Sequence, residues 1–307
     1  MSLLVVGSVA LDSVETPFGA REDVLGGSAT YFSASASLLT KVSVVGVIGD
    51  DFPLEQLDFL KKRGVSLDGL TKTPGKTFRW KGKYGFDLNA AQTLDTQLNV
   101  FEHFNPELSA EQQQADRIFL GNIDPVLQLR VLDQAKNAKL VCADTMNYWI
   151  SSKREKLLEL LPRVDVLMVN DGEVRQLAGE SNVLKAARAA QKMGATAVVV
   201  KRGEYGAILV TGEHTFYAPA YPLADVVDPT GAGDTFAGGF LGLLDRLSTN
   251  DPAALRQAVV MGSTIASFTV EQFSLDRLRD LDLKQVRSRF DSFRHLTHFE
   301  ELPSHVG

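Results

Sequence analysis

From residue 3 onward, short unbroken apolar runs alternate with longer stretches in which apolar positions recur every three to four residues. The runs at 3–6, 42–48, 118–120, 140–143, 166–169 and 197–200 are too short for helices and predict buried strands. The first closes at Gly7 and the second at Gly49-Asp50-Asp51. The stretches 28–39, 54–63, 125–137, 152–161 and 183–193 predict helices, with Gly64 and Gly194 as stops. Apolar strands separated by helices imply an α/β fold: a mostly parallel sheet covered on both faces. Such sheets gather ligands beyond the carboxyl ends of their strands.

Residues 75–101 break this rhythm. Thr77, Arg79, Lys81 and Lys83 fall on one side of an alternating pattern, and Phe78, Trp80 and Tyr84 on the other. The segment predicts antiparallel strands in a flap outside the main sheet, with 93–101 as a pairing partner. Residues 9–25 also lack helical periodicity and are expected to join it. No repeat, low-complexity stretch or linker divides the chain. The expectation is one domain over 1–307, with lid segments at 9–25 and 75–101.

Composition narrows the function. Over 307 residues the chain is 44% hydrophobic and 23% charged, enough to bury a large core. A net charge of -6 supplies no basic field, so nucleic acid and anionic membranes are not expected partners. No apolar stretch is long enough to span a bilayer, and the first residues lack a basic leader, so the expected location is the cytoplasm. Cys142 is the only cysteine, which excludes an intrachain disulfide. Its apolar surroundings read as those of a buried, inert thiol.

The candidate chemistry lies in Asp228-Pro229-Thr230-Gly231-Ala232-Gly233-Asp234, followed by a helical pattern over 234–247. Gly231 and Gly233 permit a tight turn that presents main-chain N–H groups at a helix start, where anions are attracted. Such donors stabilise the negative oxygens of a transferring phosphoryl group, and Asp234 in the first turn can accept a proton from an attacking hydroxyl. A bare Gly-X-Gly-Asp is more often only a turn before a helix. The length of the string changes that balance.

The string resembles the signature of the ribokinase-like, or PfkB, family of carbohydrate and nucleoside kinases. The resemblance covers about residues 3 to 275. It implies a three-layer α/β fold with a small β-sheet lid. It also implies an anion hole at Gly231, Ala232 and Gly233, and Asp234 as catalytic base. Gly7-Ser8-Val9-Ala10-Leu11-Asp12 resembles the first strand and its substrate carboxylate, so Asp12 is expected to hold acceptor hydroxyls; a turn aspartate is the plainer reading. Gly26-Gly27 resembles the hinge of the lid, with Tyr31 where the family usually has Asn. Asn170 and Glu173 match an Asn-x-x-Glu element that organises magnesium and phosphate mostly through water; a helix cap is the plainer reading. Lys201, Gly203 and Gly206 resemble a nucleotide-binding turn, and a plain hairpin fits them too. Thr230, Met261 and Ser263 are assigned with them to ATP, and Ser267 to the same helix; Met261, Ser263 and Ser267 fit core packing as well. The cofactors so implied are ATP and Mg2+, with room for a monovalent cation near Asp225. A homodimer through the lid fits the family.

Other features carry less. Pro74-Gly75-Lys76-Thr77 imitates the end of a Walker A loop, but Leu70 stands where its first Gly belongs. The basic cluster Lys72, Lys76, Arg79, Lys81 and Lys83 suits a charged sheet edge, or else Arg79 or Lys81 reaches a substrate anion. Arg287, Arg289 and Arg294 read as a solvated helix face. Phe78, Trp80, Tyr84 and Phe86, with Tyr31, suit stacking on a purine or simple core packing. The reading is a kinase for a primary hydroxyl, leaning to an adenosine-like nucleoside over a ketose or sugar acid. A non-catalytic nucleotide- or sugar-binding module is the rival, and the intact Gly-Ala-Gly-Asp speaks against it.

Overall fold

The computed structural model describes residues 3–212 and 214–301; residues 1 and 2, read above for a leader, lie outside it. The strands are β1 (Leu3–Val6), β2 (Ala10–Thr16), β3 (Gly19–Gly26), β4 (Val42–Ile48), β5 (Ser66–Lys72), β6 (Arg79–Tyr84) and β7 (Ala91–Gln97). They continue with β8 (Arg117–Leu120), β9 (Leu140–Asp144), β10 (Val166–Asn170), β11 (Ala197–Lys201), β12 (Ala207–Thr211) and β13 (His214–Ala218). Nine form one sheet in the order β13-β12-β11-β10-β9-β8-β1-β4-β5. From β11 to β5 every neighbouring pair is parallel; β12 and β13 add an antiparallel edge.

The helices are α1 (Ser28–Ala36), α2 (Asp58–Lys62), α3 (Pro125–Gln134), α4 (Asn147–Ser152), α5 (Arg154–Leu160) and α6 (Asp171–Ala178). They continue with α7 (Val183–Lys192), α8 (Ala232–Leu247), α9 (Pro252–Thr269), α10 (Asp276–Arg279) and α11 (Leu283–Thr297). Alternate side chains of each strand enter opposite layers, as the two-residue period requires. Leu3, Val5, Phe119, Cys142, Met168 and Val199 pack with Phe240 of α8 and Ile265 of α9. Leu4, Val6, Ile118, Leu120, Leu167 and Val198 pack with Val131 of α3, Leu157 of α5, Val174 of α6 and Ala187 of α7. Cys142 lies in the first layer, and burial pushes its thiol well above its usual range, which keeps it unreactive.

The expected flap is a second sheet in the order β3-β2-β6-β7. Antiparallel pairing holds for β2 with β3 and for β6 with β7, but β2 and β6 run parallel, contrary to expectation. The two strands come from distant parts of the chain and need no hairpin between them, so nothing forces them to oppose. The partner strand is also shorter than 93–101 suggested, because Asn99–His103 turns into a 3-10 helix. The predicted helix at 152–161 is observed as Arg154–Leu160; Lys153, outside helical geometry, separates it from α4, which ends at Ser152, and Leu161 opens a 3-10 turn.

Candidate active site

One end of the site is set where β1 meets α1. Ser8 and Ser28 exchange bonds: the Ser8 amide donates to Ser28 Oγ at 3.1 Å and the Ser28 amide to Ser8 Oγ at 3.0 Å. Gly27 joins β3 to α1 at φ 93°, and a Cβ there would lie 2.5 Å from the Ser8 carbonyl oxygen, so only glycine fits. A Cβ on Gly26 would run into the Asp12 carboxylate, so the diglycine makes room for that acid. Asp12 is 5% exposed. Burial raises its pKa to about 7, assisted by Asp228 and Asp234 and opposed by the Gly27 amide.

The other wall is the start of α8. Gly231 caps the helix at φ 74°, in left-handed geometry. The Ala232 amide donates to the Pro229 carbonyl at 3.2 Å. No acceptor meets the Gly231 or Gly233 amide among the described residues. Thus two of the three expected donors stand free and the middle one is partly engaged by the turn itself. Asp228 holds this turn in place. Its Oδ1 accepts from the Thr230 amide at 2.9 Å and its Oδ2 from the Ser274 amide at 3.0 Å. Thr230 Oγ1 donates to the Tyr84 hydroxyl at 3.3 Å, which ties β6 of the small sheet to the loop.

Asp234 lies in the first turn of α8 beside the carboxyl ends of β9, β10 and β11. Burial and then the Asp144 charge raise its pKa to about 7, while Lys201 works against them. Lys201 ends β11 and donates through Nζ to Asp144 Oδ2 at 2.6 Å. Burial works against the Lys201 charge, but Asp144, Glu173 and Asp234 outweigh it and hold its pKa above the ordinary value. Glu173 is also raised to about 7, first by burial and then by Asp144. Three carboxyls thus surround one ammonium, an excess of negative charge suited to a cation or to proton uptake.

Asn170 and Glu173 form a capping box at α6. The Asn170 amide donates to Glu173 Oε2 at 2.7 Å, and the Glu173 amide to Asn170 Oδ1 at 2.8 Å. The plain reading of this pair as a cap therefore holds, and one carboxylate oxygen of Glu173 is engaged in it. Among the described residues no group of three or more His, Cys, Asp or Glu side chains is set to hold a metal directly. Buried carboxyl oxygen is nonetheless the donor chemistry that suits Mg2+ held through water.

The turn after Lys201 carries Gly203 at φ 53° and Gly206 at φ 85°. The tip between β6 and β7 rests on it: Asn89 Nδ2 donates to Glu204 Oε1 at 3.0 Å, and the Glu204 amide to Asn89 Oδ1 at 3.3 Å. A Cβ at Gly203 would run into Asn89.

Several expected contacts fall elsewhere. The Tyr31 ring is 2% exposed and packs against Gly231, so it supports the turn and has no open face for a stacked base. Phe78 packs at a tilt against Phe101 beside the second core, and Phe86 stands 98% exposed. Trp80 and Tyr84 remain on the face of the small sheet that carries Asp12, since Asp12 pairs with Trp80. Arg79 does not reach for a substrate anion, because Asp23 at 3.1 Å and Asp51 at 2.8 Å already hold it. Thr77 of the Walker-like string is tied to Asp51 Oδ1 through both amide and hydroxyl. Met261 is buried against Gly239, and Ser263 is half-buried on the same helix. Ser267 accepts from Arg289 at 3.0 Å. Arg289 is no solvated side chain: it lies 3.4 Å from the Phe268 ring centroid and bonds Glu271 at 2.7 Å. Asp144 escaped the sequence reading, which ended its strand one residue early. An acid at the carboxyl end of a parallel strand was the available signal.

A parallel sheet with an accessory sheet over its carboxyl edge, and a glycine turn beside a buried acid, defines a protein built for group transfer to a small molecule. A family model described as pfkB family carbohydrate kinase matches residues 5–279, and the chain belongs to that family. It is a phosphotransferase of the carbohydrate and nucleoside kinase type. The cytidine kinase of Thermococcus kodakarensis is 33% identical over 248 residues, covering 78% of this chain and 87% of that protein. The crystal structure of Methanocaldococcus jannaschii nucleoside kinase matches with a TM-score of 0.73 at 21% identity, over 95% of this chain and 99% of that one. A putative ribokinase II from E. coli in complex with ATP and Mg2+ matches with a TM-score of 0.74 at 18% identity, over 95% and 99%. At these structural identities the likeness is one of fold.

Proposed function

We propose that the chain phosphorylates a primary hydroxyl of a nucleoside at the expense of ATP, as one kinase domain in which the small sheet is a lid. The observation that carries this reading is the placement of Asp234, half-buried at the start of α8 within the field of Lys201, next to the free Gly231 and Gly233 amides. The acceptor lies between Asp12, the Gly26–Gly27 hinge and the lid strand β6. Its hydroxyl oxygen attacks the γ-phosphorus, the bond to the bridging oxygen of ADP breaks, and the hydroxyl proton passes to Asp234. The glycine-turn amides meet the negative oxygens. Asn170, Lys201 and the Gly203–Gly206 turn face the nucleotide. Magnesium, held through water by Glu173, would supply positive charge to the phosphate oxygens.

A nucleoside is favoured because the cytidine kinase similarity spans most of both chains. Trp80, on the Asp12 face of the lid, offers a ring to a base. A free sugar or sugar acid is the second reading, favoured by Asp12, whose carboxylate suits any vicinal diol. A screen of nucleosides, pentoses, hexoses and sugar acids by ADP release decides between them, and a response to hexoses alone rejects the nucleoside. Asp234→Asn is expected to bind ATP and lose turnover by about 10²–10⁴-fold, the usual worth of a positioned base. Near-parental turnover from the folded variant removes the assignment.

A further inference from the structure

We propose that Lys201 is a catalytic residue that donates to the transferring phosphoryl group, and that Asp144 is the positioning residue that aims it. The inference rests on reading the Gly231–Gly233 turn as the anion hole, and gives that hole a charged member.

The side chain of Lys201 crosses the carboxyl end of β10 to reach the last residue of β9. Its exposure is 15%, and that of Asp144 is 7%. The Asp144 carboxylate is fixed at both oxygens: Oδ1 accepts the Thr145 amide at 2.8 Å and Oδ2 accepts Lys201 Nζ at 2.6 Å. An ammonium has three N–H donors. Among the described residues Asp144 is the only hydrogen-bond acceptor of Lys201. The remaining donors lie beside Gly233, whose amide is free.

Gly233 shows what that space is for. Its φ is not in the left-handed region, so its backbone would accept any residue. The three atoms nearest to a Cβ placed there, outside α8 itself, all belong to Lys201: Nζ at 3.1 Å, Cε at 3.7 Å and Cδ at 3.8 Å. Glycine at this position therefore leaves room for the ammonium rather than for a turn. A half-buried cation with unused donors, next to an unpartnered amide at a helix start, matches a tetrahedral anion. Glu173 and Asp234 repel an anion from the same space, so a fixed ammonium offsets them when the phosphoryl oxygens arrive.

The test measures steady-state turnover and calorimetric binding of ATP for Lys201→Ala, Lys201→Arg, Asp144→Asn and the Lys201→Ala/Asp144→Asn pair, with Asp234→Asn alongside. Lys201→Ala should lose about 10²–10³-fold in kcat, as removal of an oxyanion donor does, with ATP affinity within about threefold. Ethylammonium added to Lys201→Ala should restore part of kcat, which a merely structural lysine would not allow, and Lys201→Arg should retain more activity than Lys201→Ala. Asp144→Asn should lose kcat as well, and the paired variant should be no worse than Lys201→Ala, because the two residues act as one unit. Weakened ATP binding with kcat intact reduces Lys201 to a nucleotide contact and overturns the proposal. Additive losses in the paired variant overturn the positioning role of Asp144. An active Asp234→Asn beside an inactive Lys201→Ala would sink the base assignment while sparing Lys201, and the reverse pattern would sink only the present inference.

Discussion

Asp12 and Glu173 are carboxyls that the fold has buried and Asp234 is one it half-buries, and each is raised to about 7 with loss of water as the first cause. A carboxyl accepts a proton only when ionised, so activity that needs Asp234 must fade as pH drops through its pKa. Since kcat/KM reports the free enzyme, it should fall below about pH 7, with a slope steeper than one proton because Asp12 and Glu173 titrate in the same range. A pH profile flat down to about 5 would contradict this. Legibility at this scale was uneven. Asp234 stood in a long specific string, and Asp12 and Glu173 sat at marked positions after strands. Asp144 carried no such string, and its importance comes from a lysine 57 positions away that only the sheet order brings to it. Tyr31 misled in a different way. Its place in sequence suggested a substrate contact, but a ring of that size fits better under Gly231, where a side chain on the glycine would collide with it.

Among the elements, the small sheet is held by ion pairs as well as by its ladders. Arg79 of β6 joins Asp23, just short of the end of β3, to Asp51, which follows β4, and so links the small sheet to the main one. Asp23 is 58% exposed and Asp51 31%, so water weakens both pairs. Arg79→Ala should lower Tm by no more than about 3 °C and leave the preference between phosphorylated and plain acceptors as in the parent. A change in that preference would restore the arginine to the substrate. The apolar strands β1, β4 and β8 to β11 were readable because both of their faces are covered. β5 was not, since Ser66–Lys72 mixes polar and apolar residues along a partly exposed edge. The parallel pairing of β2 with β6 was equally hidden, because alternation specifies which side chains face inward but not the direction of the neighbour.

Across the whole molecule, one sheet sets two ends apart: the Asp12 hinge beyond β1 and the Lys201 turn beyond β11, with α8 lying over the middle. The last helix, α11, lies wholly beyond residues 5–279 that match the family, and its anchor is Arg289. That side chain lies against Phe268 and Tyr221 and bonds Glu271 and Ser267. Arg289→Ala should cost about 2 kcal/mol and lower Tm by about 5 °C without changing kcat. An unchanged Tm would make the helix a passenger. The overall α/β layering was legible from strand and helix alternation, whereas the docking of this helix was not, because a row of arginines looks alike whether it meets water or aromatic rings. The tip carrying Asn89 brings the two ends back together, since it stretches from the small sheet to the bend at Glu204. If the small sheet is the lid proposed above, the last spent reactant to leave would have to lift that tip, and the pace of a fast cycle would be set by departure rather than by bond making.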